Sequence, residues 1–348
     1  MGKFFRGWKL LAAVFVVLLT ITGGICGWWY VSRYMKSPDY SVRMLCKSLD
    51  DHDEETFLKY ADVDNLLDSA VDVLMDSLID SEKRLSPDTK MAVSNFTRLF
   101  KVPLTESFRN LTIHYVKTGD WGESVRKEKL KIDGSTILAQ TGLKNLRFRQ
   151  VESVKVDDSG NTAEVGIRIL VEEIGEEYVI KVVFGKDETD VWQAKEIADL
   201  YDMIGFIREK RREKLQEYLA ESSELVLRHD TTIKMAELQQ SEIISSGNLS
   251  KTETRQRLKK LFQEVIIPDW KLRHEELEKL SVPSSAKHIY RLQQKICELR
   301  LQQAELYVKW LDDKQGSTVR RANDCLKEAG ALERELIMFT KRSNKKDN

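Results

Sequence analysis

The residue types that carry most protein chemistry are sparse in this chain and seldom clustered. There are 5 histidines: His52, His114, His229, His274 and His288. His274 opens "HEELE", which imitates the zinc-protease helix motif, where two histidines four apart ligate zinc and the glutamate acts as base. Glu278 stands where the second histidine belongs, and the surrounding "RHEELEKL" is ordinary amphipathic helix, so no metal is expected there. His52 lies among Asp50, Asp51, Asp53, Glu54 and Glu55, a cluster that could hold a charged ring or simply begin a surface helix. Ser159 in "DSGN" suits a hairpin turn better than a nucleophile. The 4 cysteines, Cys26, Cys46, Cys297 and Cys325, contain no C-x-x-C pair. A Cys297–Cys325 bridge between neighbouring helices is one arrangement open to them. No G-x-S-x-G, P-loop or dinucleotide-binding fingerprint occurs. The expectation is therefore no catalytic constellation, no metal and no cofactor.

A second pattern is acidic. Asp64, Asp68, Asp72, Asp76 and Asp80 recur every four residues and so share one slowly drifting side of a helix. Such a stripe suits a basic partner. It does not suit calcium, whose ligands must converge on a point.

These residues have to be positioned by something, and the elements begin with an apolar segment. Lys3, Arg6 and Lys9 (in a basic N-terminus, 1–9) precede an uncharged run from Leu10 to Ser32. At about 1.5 Å per residue that run reaches across a hydrocarbon core of about 30 Å. It is longer than a secretory leader's apolar stretch, and Ile25 before Cys26 suits lipidation badly. Leu10, Phe15 and Leu19 would lie in the bilayer, with Trp28, Trp29 and Tyr30 at its interface. The expectation is a single-pass anchor over 10–32, N-terminus in the cytoplasm and bulk outside it. Basic residues on both flanks leave that orientation weakly specified.

Beyond the anchor, composition favours a folded, helix-rich chain: 348 residues, 41% hydrophobic, 32% charged, 5 Pro and 17 Gly. Lys+Arg and Asp+Glu both number 56, so nothing pulls the whole chain toward nucleic acid. Helices are expected after "SPDY", from Glu54 to Tyr60 under an Asp53 cap, from an Asp64 cap to about Glu82, over 87–100, and from Thr105 to Lys117 with a stop at Gly119. The period then changes to two. "LRFRQVESVKV", "TAEVGIRILVE", "YVIKVVF" and "DVWQAKEI", parted by turn clusters, read as an antiparallel meander of about four strands. Helices followed by a sheet make an α+β domain over 37–200.

From Tyr201 the pattern is helical to 343, ahead of a polar tail, 344–348. Breaks fall at "SSGN", "VPSS" and "KQGS", and Pro268 should kink or divide one helix. Ile289, Leu292, Ile296, Leu299, Leu306 and Trp310 form one seam; Val319, Ala322, Leu326, Ala329 and Leu336 form a matching one. Three or four long helices in a bundle are expected. The basic run "REKRREK", Arg208 to Lys214, is interrupted by Glu209 and Glu213 and reads as a solvated face.

Ser37–Tyr40, His52–Tyr60 and Val63–Asp68, then "YVKTG", "NTAEVGIRI" and "VWQAKEIADL", resemble an uncharacterised family of bacterial membrane-anchored proteins classed as a domain of unknown function. The late strand with Trp192, ending at Ile197, is similar to the last strand of nuclear-transport-factor-2-like cones. The helical stretch "IIPDWKLRHEELEKLSVPSSAKHIYRLQQKICELRLQQAELYVKWL" more weakly resembles helical bacterial envelope proteins. The first resemblance covers about 37–200 and implies exposure outside the cytoplasm; it brings no catalytic residues. Together these features point to a membrane-anchored, non-catalytic binding or scaffold protein of the bacterial envelope, in contact with the bilayer and with an envelope partner. The alternative is an envelope enzyme using the cone pocket, with an Asp or His as acid/base.

Overall fold

The structure is a computed structural model that describes Trp28, Tyr30 and residues 34–81, 100–122 and 134–345. The chain divides into two compact units, Met1–Arg208 and Glu209–Asn348.

The first unit opens with helices set by their caps. In α1 (Pro38–Asp50) the Ser37 hydroxyl accepts from the Tyr40 N–H, and Pro38 occupies the first turn, where no N–H is needed. In α2 (Glu54–Tyr60) Asp53 accepts from the Thr56 N–H at 3.0 Å, as its spacing predicts. Helix α3 (Val63–Ser81) starts earlier than expected. Its capping carboxylate is Asp62, which accepts from the Asn65 N–H at 3.3 Å, while Asp64 already lies inside the first turn. Helix α4 (Lys101–Thr118) stops at Gly119, whose φ of 70° is left-handed. Helix α5 (Gly134–Thr141) has no counterpart in the sequence reading. The helix expected over 87–100 lies outside the described residues apart from Phe100.

The four expected strands are present: β1 (Leu146–Val156), β2 (Thr162–Val171), β3 (Glu176–Lys186) and β4 (Trp192–Ile197). They form one antiparallel sheet in the order β1-β2-β3-β4. Alternation decides which face is covered. Ala163, Val165, Ile169 and Val171 of β2, Ile180, Val182 and Phe184 of β3, and Trp192 and Ala194 of β4 are buried together with Val42 of α1. Each buried Val, Ile or Phe among them contributes about 1.5–3 kcal/mol. A second cluster joins Val71 and Leu74 of α3 to Leu104 and Phe108 of α4.

Helix α6 (Leu200–Ser246) begins in the first unit. Met203 and Ile207 enter the sheet core, and Leu200 and Ile204 the second cluster. The first unit therefore extends to Arg208.

The second unit is helical. Helix α7 (Thr252–Leu261) runs through a wide turn, Phe262–Ile266, into α8 (Ile267–Glu278). Pro268 explains the wide turn. It has no N–H to offer Glu264 and its ring crowds that carbonyl, so the Ile267 N–H reaches back to the Phe262 carbonyl instead. Helix α9 (Lys287–Asp313) buries Ile289, Leu292, Ile296, Leu299 and Leu306, five of the six expected seam positions, and Trp310 is partly buried. Helix α10 (Gly316–Lys345) packs along α9 through Ala322 and Ala329, seven residues apart. Leu326 departs from its expected place in the seam and is 40% exposed. Arg300 of α9 grips both carboxylate oxygens of Glu333 of α10, at 2.7 and 3.0 Å.

Among the described residues no helix is long and apolar enough to cross a membrane. The expected anchor, Leu10 to Ser32, lies outside the described residues except for Trp28 and Tyr30.

One close approach is testable. A Cβ on Gly119 would sit 2.7 Å from Cε1 of His52 and would carry an unfavourable positive φ. Gly119→Ala is expected to cost about 1–3 kcal/mol in denaturant unfolding. In a His52→Ala background the steric part should vanish and the backbone part persist, giving a smaller loss.

Candidate functional site

The sheet's covered face is incomplete at one edge. The register pairs Leu146 with Val171, Phe148 with Ile169, Val151 with Ile167, Val154 with Val165, and Val156 with Ala163. Directly opposed residues share a face, so these five β1 side chains belong to the same row as the buried core. Yet Leu146, Phe148, Val154 and Val156 are 36–49% exposed, whereas their β2 partners are almost fully buried. The result is an apolar row along β1, continuous with the core and open to solvent.

Two features keep this edge from being a flat template for stray strands. The pairing slips between Phe148 and Gln150 and again between Val151 and Ser153, and such bulges twist an edge. The opposite face is charged. Arg168 pairs with Glu152 and with Glu177, Arg149 with Glu177, and Arg147 with Glu172 at 2.7 Å. Pairs this exposed add little stability; they make that face polar. The other sheet edge is occupied, because Ala61 bridges to Ala194 and the Asp62 N–H donates to the Ala194 carbonyl at 2.9 Å.

A second constellation lies in the helical unit. Ser222, His229, Ala236 and Ile243 of α6, each seven residues on, are buried. His229 is 3% exposed and faces α8, where Asp269 and Glu276 are also seven apart. Its Nδ1 lies 2.9 Å from Asp269 Oδ1 and its Nε2 lies 3.0 Å from Glu276 Oε2. One carboxylate thus lies within hydrogen-bond distance of each ring nitrogen. Arg228 bonds Glu276, and Arg273 bonds Asp230 at 2.7 Å while stacking on Trp270. The buried His229 and Arg273 thus sit in a polar layer with Asp269 and Glu276, while Arg228 and Asp230 close it at the exposed rim. Cys297 abuts this layer, and burial pushes its thiol up to about 11. Two carboxylates on opposite sides of one ring do not converge on a metal position. The arrangement fixes the register of α6 against α8.

In the acidic stripe, Asp68 and Asp72 both bond Lys101 at 2.8 Å, and Asp64 bonds Arg109. The basic side chains the stripe faces thus include its own neighbour α4, and the bonds to Asp68 and Asp72 raise the Lys101 ammonium above its ordinary range. Asp76 is exposed; Asp80 has its side chain outside the described residues. Trp28 and Tyr30 are 72% and 48% exposed, whereas Leu10, Phe15, Leu19 and Trp29 lie outside the described residues.

His52 adopts φ 58° and sets Nδ1 3.0 Å from the Val116 carbonyl. His274 and Glu278 approach to 3.7 Å on an exposed helix face. Ser159 donates to Asp157, whose own turn holds that carboxylate down at about 2, first through Ser159 and then Thr162. In the basic run, Lys210 pairs with Glu213, and Arg212 with Glu209. Cys46, Cys297 and Cys325 are free thiols, so the bridge considered for Cys297 and Cys325 is not formed. Among the described residues no group of His, Cys, Asp and Glu could hold a metal ion. The β1 row and the partners of His229 escaped the sequence reading.

Comparison with family models, curated proteins and solved structures finds no match to the chain.

Removing the imidazole should expose the cost of the polar layer. His229→Leu leaves two carboxylates without their shared partner and is expected to lose about 3 kcal/mol in urea unfolding at neutral pH. The His229 bond, its largest cause, holds the Glu276 carboxyl below its usual range. A depressed carboxyl stabilises the fold above its ordinary value, about 4.3, and loses that stabilisation as pH falls. The gap between wild type and His229→Leu should therefore narrow below about pH 4.

Proposed function

We propose that this protein is a membrane-tethered binding protein of the bacterial envelope, with the apolar row of β1 as its recognition surface. The observation that carries the reading is the exposure of Leu146, Phe148, Val154 and Val156 on a row whose β2 partners are buried. Exposed apolar side chains continuous with a core mark a binding surface more often than isolated ones do. The partner that suits them is a segment presenting an alternating apolar face, which can lie along an edge strand and add to it. The charged ladder of Arg147, Arg149, Glu152, Arg168 and Glu177 keeps the other face in water and so sets which side a partner meets.

The tether is the uncharged run Leu10 to Ser32, supported by the exposed Trp28 and Tyr30 at its end. In this reading the N-terminus is cytoplasmic and both units lie outside. The helical unit serves as a second, structural arm held in register by the His229 layer. The cone-like character of the first unit and its kinship with the anchored bacterial family are part of the same proposal. They rest on the motifs from Ser37 to Leu200 and on the helix-then-meander order.

Crosslinking in intact cells tests the surface. Phe148→Asp and Val154→Asp should each cut recovery of the crosslinked partner at least tenfold, with circular dichroism unchanged. Glu164→Lys, on the opposite face of β2, should not. Equal recovery from all three would sink the assignment of β1. Topology is checked separately with Asn323→Cys in a Cys325→Ser background, because Cys297 is only 1% exposed and cannot report. The new thiol should react with a membrane-impermeant maleimide on whole cells; reaction only after lysis would reverse the orientation.

A further inference from the structure

The described residues just before α1 are held by backbone bonds and ring contacts. The Met35 N–H donates to the Tyr30 carbonyl at 3.0 Å, and the Ser37 N–H donates to the Tyr34 carbonyl at 3.0 Å. Ser37 then caps α1. Aromatic rings continue the connection. Tyr30 stacks on Tyr34 at 5.1 Å, Tyr34 meets Tyr40 edge-on at 5.5 Å, and Tyr40 meets Tyr60 at 6.2 Å. Lys36 is held twice. Its carbonyl accepts from the Trp192 indole at 2.9 Å, and its ammonium pairs with Asp190 at 3.1 Å. Lys186 pairs with the same Asp190 at 2.8 Å and lies over the Trp192 ring.

These contacts gather at one end of the sheet. The end of β3 and the start of β4 meet there through the pair Lys186–Trp192, with the turn 187–191 between them. The β1–β2 turn is at the same end, because Val156 pairs with Ala163 and the Lys186 N–H donates to the Asn161 carbonyl at 3.0 Å. Helix α2 joins them, since Gln193 donates to the Lys59 carbonyl at 3.1 Å. Beside it Leu58 is 39% exposed and Met35 38%. An exposed Trp and Tyr, two exposed apolar side chains and the amphipathic Lys36 and Lys59 are the composition of a surface at headgroup depth.

We propose that this end of the first unit is a membrane-seated face, with Met35, Lys36, Leu58, Lys59 and the β3–β4 turn resting in the headgroup layer where the apolar segment leaves the bilayer. The inference rests on the anchor reading and deepens it. A swinging linker would let the domain tumble; in this proposal the contacts of Tyr30, Tyr34 and Lys36 restrict its pose. The strands then rise from the membrane, with Val156 of the β1 row near the surface and Leu146 farthest from it. Ten residue steps at about 3.3 Å carry the row roughly 33 Å outward. The turns also carry Asp157, Asp158, Asp187 and Glu188, so the lipid that fits is zwitterionic, such as phosphatidylcholine or phosphatidylethanolamine.

The test is photocrosslinking of the full chain reconstituted in phosphatidylcholine liposomes. Benzoyl-phenylalanine is placed singly at Leu58, at Glu188 in the β3–β4 turn, or at Glu173 in the β2–β3 turn at the opposite end. Mass spectrometry should find lipid adducts at Leu58 and Glu188 at least fivefold above those at Glu173. Equal yields at the three positions in chains that float with the liposomes overturn the seated face and leave the anchor standing. A chain that does not float with liposomes overturns the anchor and the seat together.

Discussion

Covering one face of a strongly alternating sheet is the constraint from which the first unit follows. β2 and β3 carry apolar residues at every second position, and the rows align because Val165 opposes Val182 and Ala163 opposes Phe184. That face must leave water, and Val42 of α1 with Met203 and Ile207 of α6 supply the cover. The two helices come from opposite ends of the domain sequence, so the sheet core also closes the fold. α3 and α4 then bury a second cluster, with Leu200 and Ile204 serving it from the same stretch of α6. The cover reaches β1 only in part, at Val151. Edge strands with an apolar row are an aggregation hazard, and here the hazard is contained by two bulges and by an arginine–glutamate ladder on the reverse side. The row itself is kept apolar, although Thr or Ser at Val154 or Val156 would suit a strand exposed to water equally well.

The second unit solves a different problem. Long antiparallel helices with repeating apolar seams can slip by a heptad at little cost, and a polar group at a core position removes that freedom. His229 occupies such a position, and α8 offers Asp269 and Glu276 one heptad apart to receive its two nitrogens. A slipped register would leave the buried His229 without its two partly buried carboxylate partners. The buried Tyr218 hydroxyl, donating to Gln293 of α9, fixes a second point on α6 in the same way. Between α9 and α10 the device is the Arg300–Glu333 fork, partly exposed and more modest in energy. Register is thus specified at three places by polar groups, while apolar seams supply most of the stabilisation.

Much of this was legible in the sequence, and the rest was hidden for physical reasons. Asp53 and Gly119 announced a helix start and stop because caps act locally. β2 and β3 were plain because their alternation is unbroken. β1 was recognisable as a strand, but its face was not. Leu146, Phe148, Val151, Val154 and Val156 are spaced by two, three, three and two, since each bulge inserts a residue and shifts the period. The cap of α3 was misplaced because Asp62 and Asp64 both suit the role, and backbone geometry chose the former. The His229 layer joins residues 40 and 47 positions apart; its sequence trace was the shared seven-residue spacing, which is weak evidence until both helices are placed. The acidic stripe was visible as charge, but the answering Lys101 and Arg109 sit on another helix and follow no local rule.

In the proposed reading the apolar row and the contacts of Lys36 act together. A tethered binding surface gains from proximity only if it can meet its partner in a productive orientation, and a flexible tether spreads the surface over many unproductive ones. Lys36, held by Trp192 and Asp190, ties the start of the domain to the last strand of the sheet, so under the proposed tether its motion would be passed to the strands. The β1 row shares that sheet, bonded to β2 along its length. Orientation set at Lys36 is therefore transmitted to Phe148 and Leu146 through backbone hydrogen bonds rather than through loops. A stiff path from entry to surface is what a protein needs if its partner is also fixed at the membrane, because the distance between them is then decided by the length of β1.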